Sequence, residues 1–187
     1  MFKFIDPKVM DVIKKLNIEI VDLDTYEERT KYNDTYGKSF VFKKILKLMN
    51  YNTCGVYDPV TDLVGLNISK LTFILCNTPK TINGTLLHEL GHWTGAPKRL
   101  NRNNIKNCKN YLEGNDFYRN TEEEDKTEEH VADLFMLKMA KYLDIYNREF
   151  FENYYDFRQK GANKKIARKE ADEAFQWVMS KIEKTTV

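Results

Sequence analysis

The first periodicity along the chain is helical. Val9, Met10, Val12, Ile13 and Leu16 recur at three- and four-residue spacing behind Pro7, a residue suited to a first helical turn. Asn17 ends that run, and residues 18–23 then alternate and are rich in β-branched side chains, which predicts a strand. Residues 24–37 are polar and read as a loop. Between residues 40 and 49, Phe42, Ile45, Leu46 and Met49 share one helical face, so the spacing predicts a short helix there. Two apolar runs, 54–57 and 63–66, flank Asp58-Pro59-Val60-Thr61-Asp62, a turn sequence, and together they predict a β-hairpin. Residues 72–76 read as a third strand, closed by Asn77-Thr78-Pro79.

The second half is helical in pattern. One helix starts near Thr81 or Ile82 and stops at Gly95-Ala96-Pro97, a glycine stop followed by proline. Residues 98–120 look irregular. Lys98, Arg99, Arg102, Lys106 and Lys109 make this stretch basic, and the acidic run Glu122-Glu123-Glu124-Asp125 follows; each run reads as a solvated face. The next helix begins near Thr127, which can cap it, and reaches about Leu143, with Val131, Leu134, Phe135, Lys138 and Met139 on its packed side. Helices over 148–158 and 164–183 close the chain with Gly161 between them. On the last of these, Ala167, Ala171, Ala174, Phe175, Val178 and Ile182 recur at helical spacing and should be core. These elements describe one α+β domain over residues 1–187, a small mixed sheet packed on the helix that begins near residue 81. Residues 1–80 form an N-terminal helix-and-sheet region, 81–143 a central core and 144–187 a C-terminal helical extension.

Composition changes this picture little. The 187 residues suit one domain, and a net charge of +2 argues against a surface coated for nucleic acid while leaving room for a local patch. Cys54, Cys76 and Cys108 are odd in number and lack a C-x-x-C pair, so no disulfide framework is expected and a reducing, intracellular setting is the simpler reading. Met1 to Pro7 lead into no sustained apolar run, so no secretory signal is expected, and no stretch is long enough to cross a bilayer. The expected location is the cytoplasm.

The candidate chemistry lies in Leu86-Leu87-His88-Glu89-Leu90-Gly91-His92-Trp93, an H-E-x-x-H string on a predicted helix. Residues four apart lie on one helical face, so His88 and His92 can reach one metal ion. Glu89 can face the open side of that ion and take a proton from bound water. A catalytic zinc takes three protein ligands and leaves one position open. Lys98 stands where one protease class has a third histidine, and a lysine cannot serve at neutral pH. Cys108 has no partner spacing and reads more readily as a small buried hydrophobe. A carboxylate from the following helix is the remaining source. Glu129 and Asp133 are four apart and share a face, so Glu129 can bind metal while Asp133 orients a ligating histidine through its free ring N–H. Taken alone, a negatively charged first helical turn is the plainer account of these acids; downstream of an H-E-x-x-H that lacks its third ligand, the metal reading is favoured. His130 also stands in this segment and is the rival ligand. Tyr111, Tyr118 and His130 are all candidates for holding an oxyanion.

Thr85-Leu86-Leu87-His88-Glu89-Leu90-Gly91-His92-Trp93-Thr94-Gly95, followed by Arg99-Leu100-Asn101-Arg102, resembles the zincin-like metallopeptidase domain of ArdC-type antirestriction proteins, which recurs in polyvalent proteins of phages and plasmids. Glu128-Glu129 with Val131-Ala132-Asp133-Leu134 resembles that family's E-E-x-V-A-E-L segment, with Asp133 in place of glutamate. A more distant similarity is to the ImmA/IrrE-type metallopeptidases. The resemblance covers chiefly residues 81–143. It implies a zincin-like fold, Zn2+ held by His88, His92 and Glu129, and Glu89 as catalytic base. It also implies a protein of a phage or other mobile element that acts on a host protein in the bacterial cytoplasm to counter a defence. The alternative is a nucleic-acid- or partner-binding protein on the same scaffold, using the basic loop 98–109 with Lys164, Lys165, Arg168 and Lys169.

Overall fold

A computed structural model of the chain describes residues 5–22, 55–58, 63–66, 79–99, 122–146 and 160–184. Helix α1 spans Pro7–Lys15, with Pro7 at its start and the Asp6 carboxylate accepting the Lys8 N–H at 2.9 Å. It ends where Asn17 turns left-handed at φ 55°. The Asn17 N–H then reaches the Lys14 carbonyl at 3.0 Å and the Ile18 N–H the Ile13 carbonyl at 3.1 Å, the paired bonds that close a Schellman turn. Val9, Val12 and Ile13 form the buried face, as their spacing predicts.

Strand β1 is Glu19–Asp22, β2 is Gly55–Asp58 and β3 is Leu63–Leu66. The hairpin forms with Tyr57 opposite Val64 and Gly55 opposite Leu66. The β1 strand pairs parallel to β3, Ile20 opposite Val64, so the sheet is mixed, in the order β1-β3-β2. Val21, Val64 and Leu66 are buried.

Three helices complete the described chain: α2 (Pro79–Arg99), α3 (Glu122–Tyr142) and α4 (Lys164–Lys184). The architecture is mixed α+β. Helix α2 packs on β2 and β3 and against α3, and α4 lies on α3 and reaches α2 and α1. One apolar core joins Ile82, Leu86, Leu87 and Leu90 of α2 with Phe135, Met136 and Met139 of α3, Val178 and Ile182 of α4, and the buried faces of α1 and β3. Trp93 and Trp177 meet within it, ring centroids 5.2 Å apart. Val131 and Leu134 pack separately with Ala167 and Ala171, which marks the face that α3 turns to α4. Ala167, Ala171, Ala174, Val178 and Ile182 are buried as their spacing predicts, while Phe175 is only half-buried at the edge of the core.

Two helix boundaries differ from the pattern reading. Helix α2 starts at Pro79 and continues through Gly95 and Pro97 to Arg99. Proline fits the first turn because its missing N–H has no helical partner there, and at position 97 it forfeits only one bond near the end of the helix. Helix α3 starts at Glu122, so the acidic run is its first turn, where carboxylates sit favourably on the helix dipole. Lys126 pairs with Glu122 one turn on. Thr127 is therefore not a cap. It lies buried inside α3, and its hydroxyl accepts the Asn163 N–H at 2.8 Å, tying α3 to the residue that caps α4.

The helices read over 40–49 and 148–158, the strand over 72–76, the loops over 24–37 and 100–120, all three cysteines, and Tyr111 and Tyr118 lie outside the described residues. Among the described residues no helix is long and apolar enough to cross a membrane.

Candidate metal centre

The centre is made where α2 crosses α3. Gly91 is the crossing point: a Cβ there would stand 2.7 Å from the Ala132 Cα and 3.1 Å from its carbonyl oxygen. Backbone cannot yield as a side-chain tip can, so only glycine allows this approach. Residues flanking Gly91 on α2 thereby confront residues flanking Ala132 on α3. On one side are His88 and His92, and on the other Glu128, Glu129 and Asp133.

The two imidazoles meet edge-on, with ring centroids 4.8 Å apart, and their Nε2 atoms are 3.1 Å from each other. Glu129 completes a triangle, its Oε2 3.4 Å from His88 Nε2 and its Oε1 3.4 Å from His92 Nε2. Donors ~2.0–2.1 Å from a tetrahedral zinc stand about 3.3 Å apart, so all three edges suit one ion. His88, His92 and Glu129 each offer a ligand atom within 4.8 Å of the others, a group that can hold a metal. His130, the rival ligand, is not in this group. It is buried, and burial pushes its imidazole pKa down; the charges of Lys164 and Arg168 on α4 add to this against the pull of Asp133.

The reverse edge of each imidazole also meets a carboxylate. His88 Nδ1 is 2.8 Å from Asp133 Oδ1, with both side chains almost closed to solvent. His92 Nδ1 is 3.6 Å from Glu128 Oε1. Helical spacing groups Glu128 with apolar Ala132 and Phe135 and assigns it no polar partner on the site; the close crossing overrides that reading, because it brings His92 alongside. Only the tertiary contact reveals Glu128, although its place next to Glu129 is a hint.

Glu89 is buried on the β2 side of the same helix turn. A Cβ on Gly55 of β2 would stand 2.6 Å from Thr85 Cγ2, 2.9 Å from Glu89 Cγ and 3.0 Å from its Oε1. The strand passes Glu89 closely because position 55 carries no side chain, a second close approach that the hairpin pattern does not announce.

Electrostatics show what such a site attracts. Burial alone would lower the pKa of His88, yet Asp133, Glu129 and the Glu89 charge raise it. Burial also works against His92, but Glu128 and Glu129 outweigh it and push its pKa up to about 10. Burial opposes ionisation of Glu129, whereas its hydrogen bonds to His88 and His92 hold its carboxyl well below the ordinary range. Four carboxylates around two imidazoles form a cation-seeking cluster. Without metal, these carboxylates favour a proton on His92; a divalent cation held by both rings would displace it.

Compared with known protein families, characterised proteins and solved structures, the chain matches none.

Proposed function

We propose that this chain is a zinc-dependent peptidase. The observation that supports the reading best is the triangle of His88, His92 and Glu129, with edges of 3.1 to 3.4 Å, beside a buried glutamate that directly follows the first histidine. His88, His92 and Glu129 would hold the ion, and two imidazoles with one carboxylate are a ligand set of catalytic zinc. Bound zinc supplies Lewis acidity and a water acidified towards pKa ~7. With the metal bound, Glu89 would be the carboxylate placed to accept a proton from its water and to pass one to the departing amine of a cleaved peptide. Asp133 keeps the His88 Nδ1 proton in place and so leaves the Nε2 lone pair directed at the centre. The resemblance of residues 85–102 and 128–134 to ArdC-type domains supports a host protein as substrate, cleaved in the bacterial cytoplasm on behalf of a phage or other mobile element. The test is Glu89→Gln, which removes the proton acceptor and keeps the side-chain shape. Retained zinc with lost cleavage, and capture of an uncleaved host protein, is the expected outcome. Full biological effect in this variant would count against peptidase chemistry.

A second reading, nucleic-acid binding, has its own observation. Lys160, Lys164, Lys165 and Arg168 are exposed at and before the start of α4 and have no ion-pair partner among the described residues. Cations in a first helical turn oppose the helix dipole, a cost that phosphate contacts would offset. DNA or RNA mobility that shifts at low salt, and ceases to shift when these four residues are changed to glutamate, is the check.

A further inference from the structure

We infer that Glu128 is a positioning residue of the metal centre, holding His92 as Asp133 holds His88. The inference rests on the zinc reading above. A neutral imidazole carries one N–H, and a ring that presents its Nε2 lone pair to a metal must carry the proton on Nδ1. An acceptor at Nδ1 therefore selects the binding tautomer and fixes the ring plane. His88 has such an acceptor in Asp133 at 2.8 Å. The carboxylate facing the Nδ1 of His92 is Glu128, at 3.6 Å. That separation is ion-pair contact, longer than the usual ~2.9 Å hydrogen bond.

The geometry of α3 explains how one helix does this for both rings. Glu128, Glu129 and Asp133 project at about −100°, 0° and +40° around the axis. Glu129 points into the gap between the imidazoles, and the other two carboxylates flank it, one for each ring. The adjacent pair Glu128-Glu129 thus divides into a positioning residue and a ligand. The two arms differ in setting. Asp133 is wholly buried, whereas the Glu128 side chain is 30% exposed. Glu128 and His92 also line a cleft of about 250 Å³ between α2, α3 and α4, with Val131 and Ala174 among its walls. The His92 side chain is itself 15% exposed against 4% for His88, so the His92 arm is the more open of the two.

Zinc affinity measured by chelator competition, together with ring-nitrogen NMR of the zinc-loaded protein, tests this. Glu128→Ala should weaken zinc binding ~10–100-fold and move the His92 Nδ1 resonance while leaving that of His88 in place. Glu128→Gln keeps an acceptor oxygen and should recover part of the loss. Wild-type affinity in Glu128→Ala with an unchanged His92 resonance overturns the inference alone. Loss of binding as complete as in Glu129→Ala makes Glu128 a ligand and overturns it too. A wild-type chain that takes up no zinc overturns the metal reading and this inference together.

Discussion

His88 Nδ1 and Asp133 Oδ1 lie 2.8 Å apart across the α2–α3 crossing, and Asp133 is completely buried. Its second oxygen, Oδ2, has no hydrogen-bond partner among the described residues. An asparagine can therefore put its carbonyl oxygen on His88 and its amide where Oδ2 stands, keeping the shape and losing the charge. Asp133→Asn is expected to fold and to bind zinc ~10–100-fold more weakly. Chelator competition measures this, and wild-type affinity would remove Asp133 from the centre.

Glu129 and His130 are neighbours with opposite fates, one in the triangle and one buried away from it. Glu129→Ala should abolish tight zinc binding, and His130→Ala should leave zinc stoichiometry near wild type while lowering stability. Elemental analysis of the two purified variants decides. Zinc lost from His130→Ala and kept by Glu129→Ala would exchange their roles.

Gly91→Ala adds one methyl group against the Ala132 backbone. The helices must separate, at a cost of about 1–3 kcal/mol, the range for overpacking a tight contact. Separation also pulls Glu129 from the histidines, so zinc affinity should fall together with the urea midpoint. The same change at Gly95, farther along α2 and lining the open cleft, should have the smaller effect on zinc.

The metal-free protein should have a pH optimum of stability set by its own site. His92 is raised from 6.5 to about 10, so its contribution is complete below pH 6.5 and is lost as pH rises through about 10. Glu129 is lowered from 4.5, so its contribution is complete above pH 4.5 and is lost as pH falls. In the presence of chelator, the urea midpoint should be highest between pH 4.5 and 6.5 and decline towards pH 10. Zinc-loaded protein should hold its midpoint through the alkaline range, since both imidazoles are then neutral ligands. A midpoint level from pH 6.5 to 10 without metal would mean that His92 is not held by Glu128 and Glu129.

Thr127→Val removes the acceptor for the Asn163 N–H. The expected loss is about 1 kcal/mol, seen in chemical denaturation, with zinc affinity unchanged because the bond lies at the start of α4 and not at the centre. Loss of zinc in this variant would show that the α3–α4 contact sets the position of Glu129.

Local pattern alone determines a good part of this protein. The spacing of Val9, Val12 and Ile13, the hairpin around residues 58–62, and the alanine-rich stripe of α4 are each visible because a helix or strand repeats its buried face along the sequence. His88, Glu89 and His92 are legible for the same reason, being neighbours on one helix. Glu129 and Asp133 are legible as a pair that shares a face, read there as a metal ligand and a carboxylate that orients a histidine, with His130 as the rival ligand. Helix limits at Pro79, Arg99 and Glu122 escape the pattern because proline and acidic runs serve equally as loop and as first turn. Tertiary structure alone decides the rest. It brings Glu129 to the two histidines and leaves His130 outside that group, gives Glu128 a histidine to face, and makes Gly55 and Gly91 points of contact. These outcomes depend on the angle and closeness at which α2 meets α3 and β2. Closeness there is set by the absence of two side chains, and a missing side chain leaves no periodic trace to read.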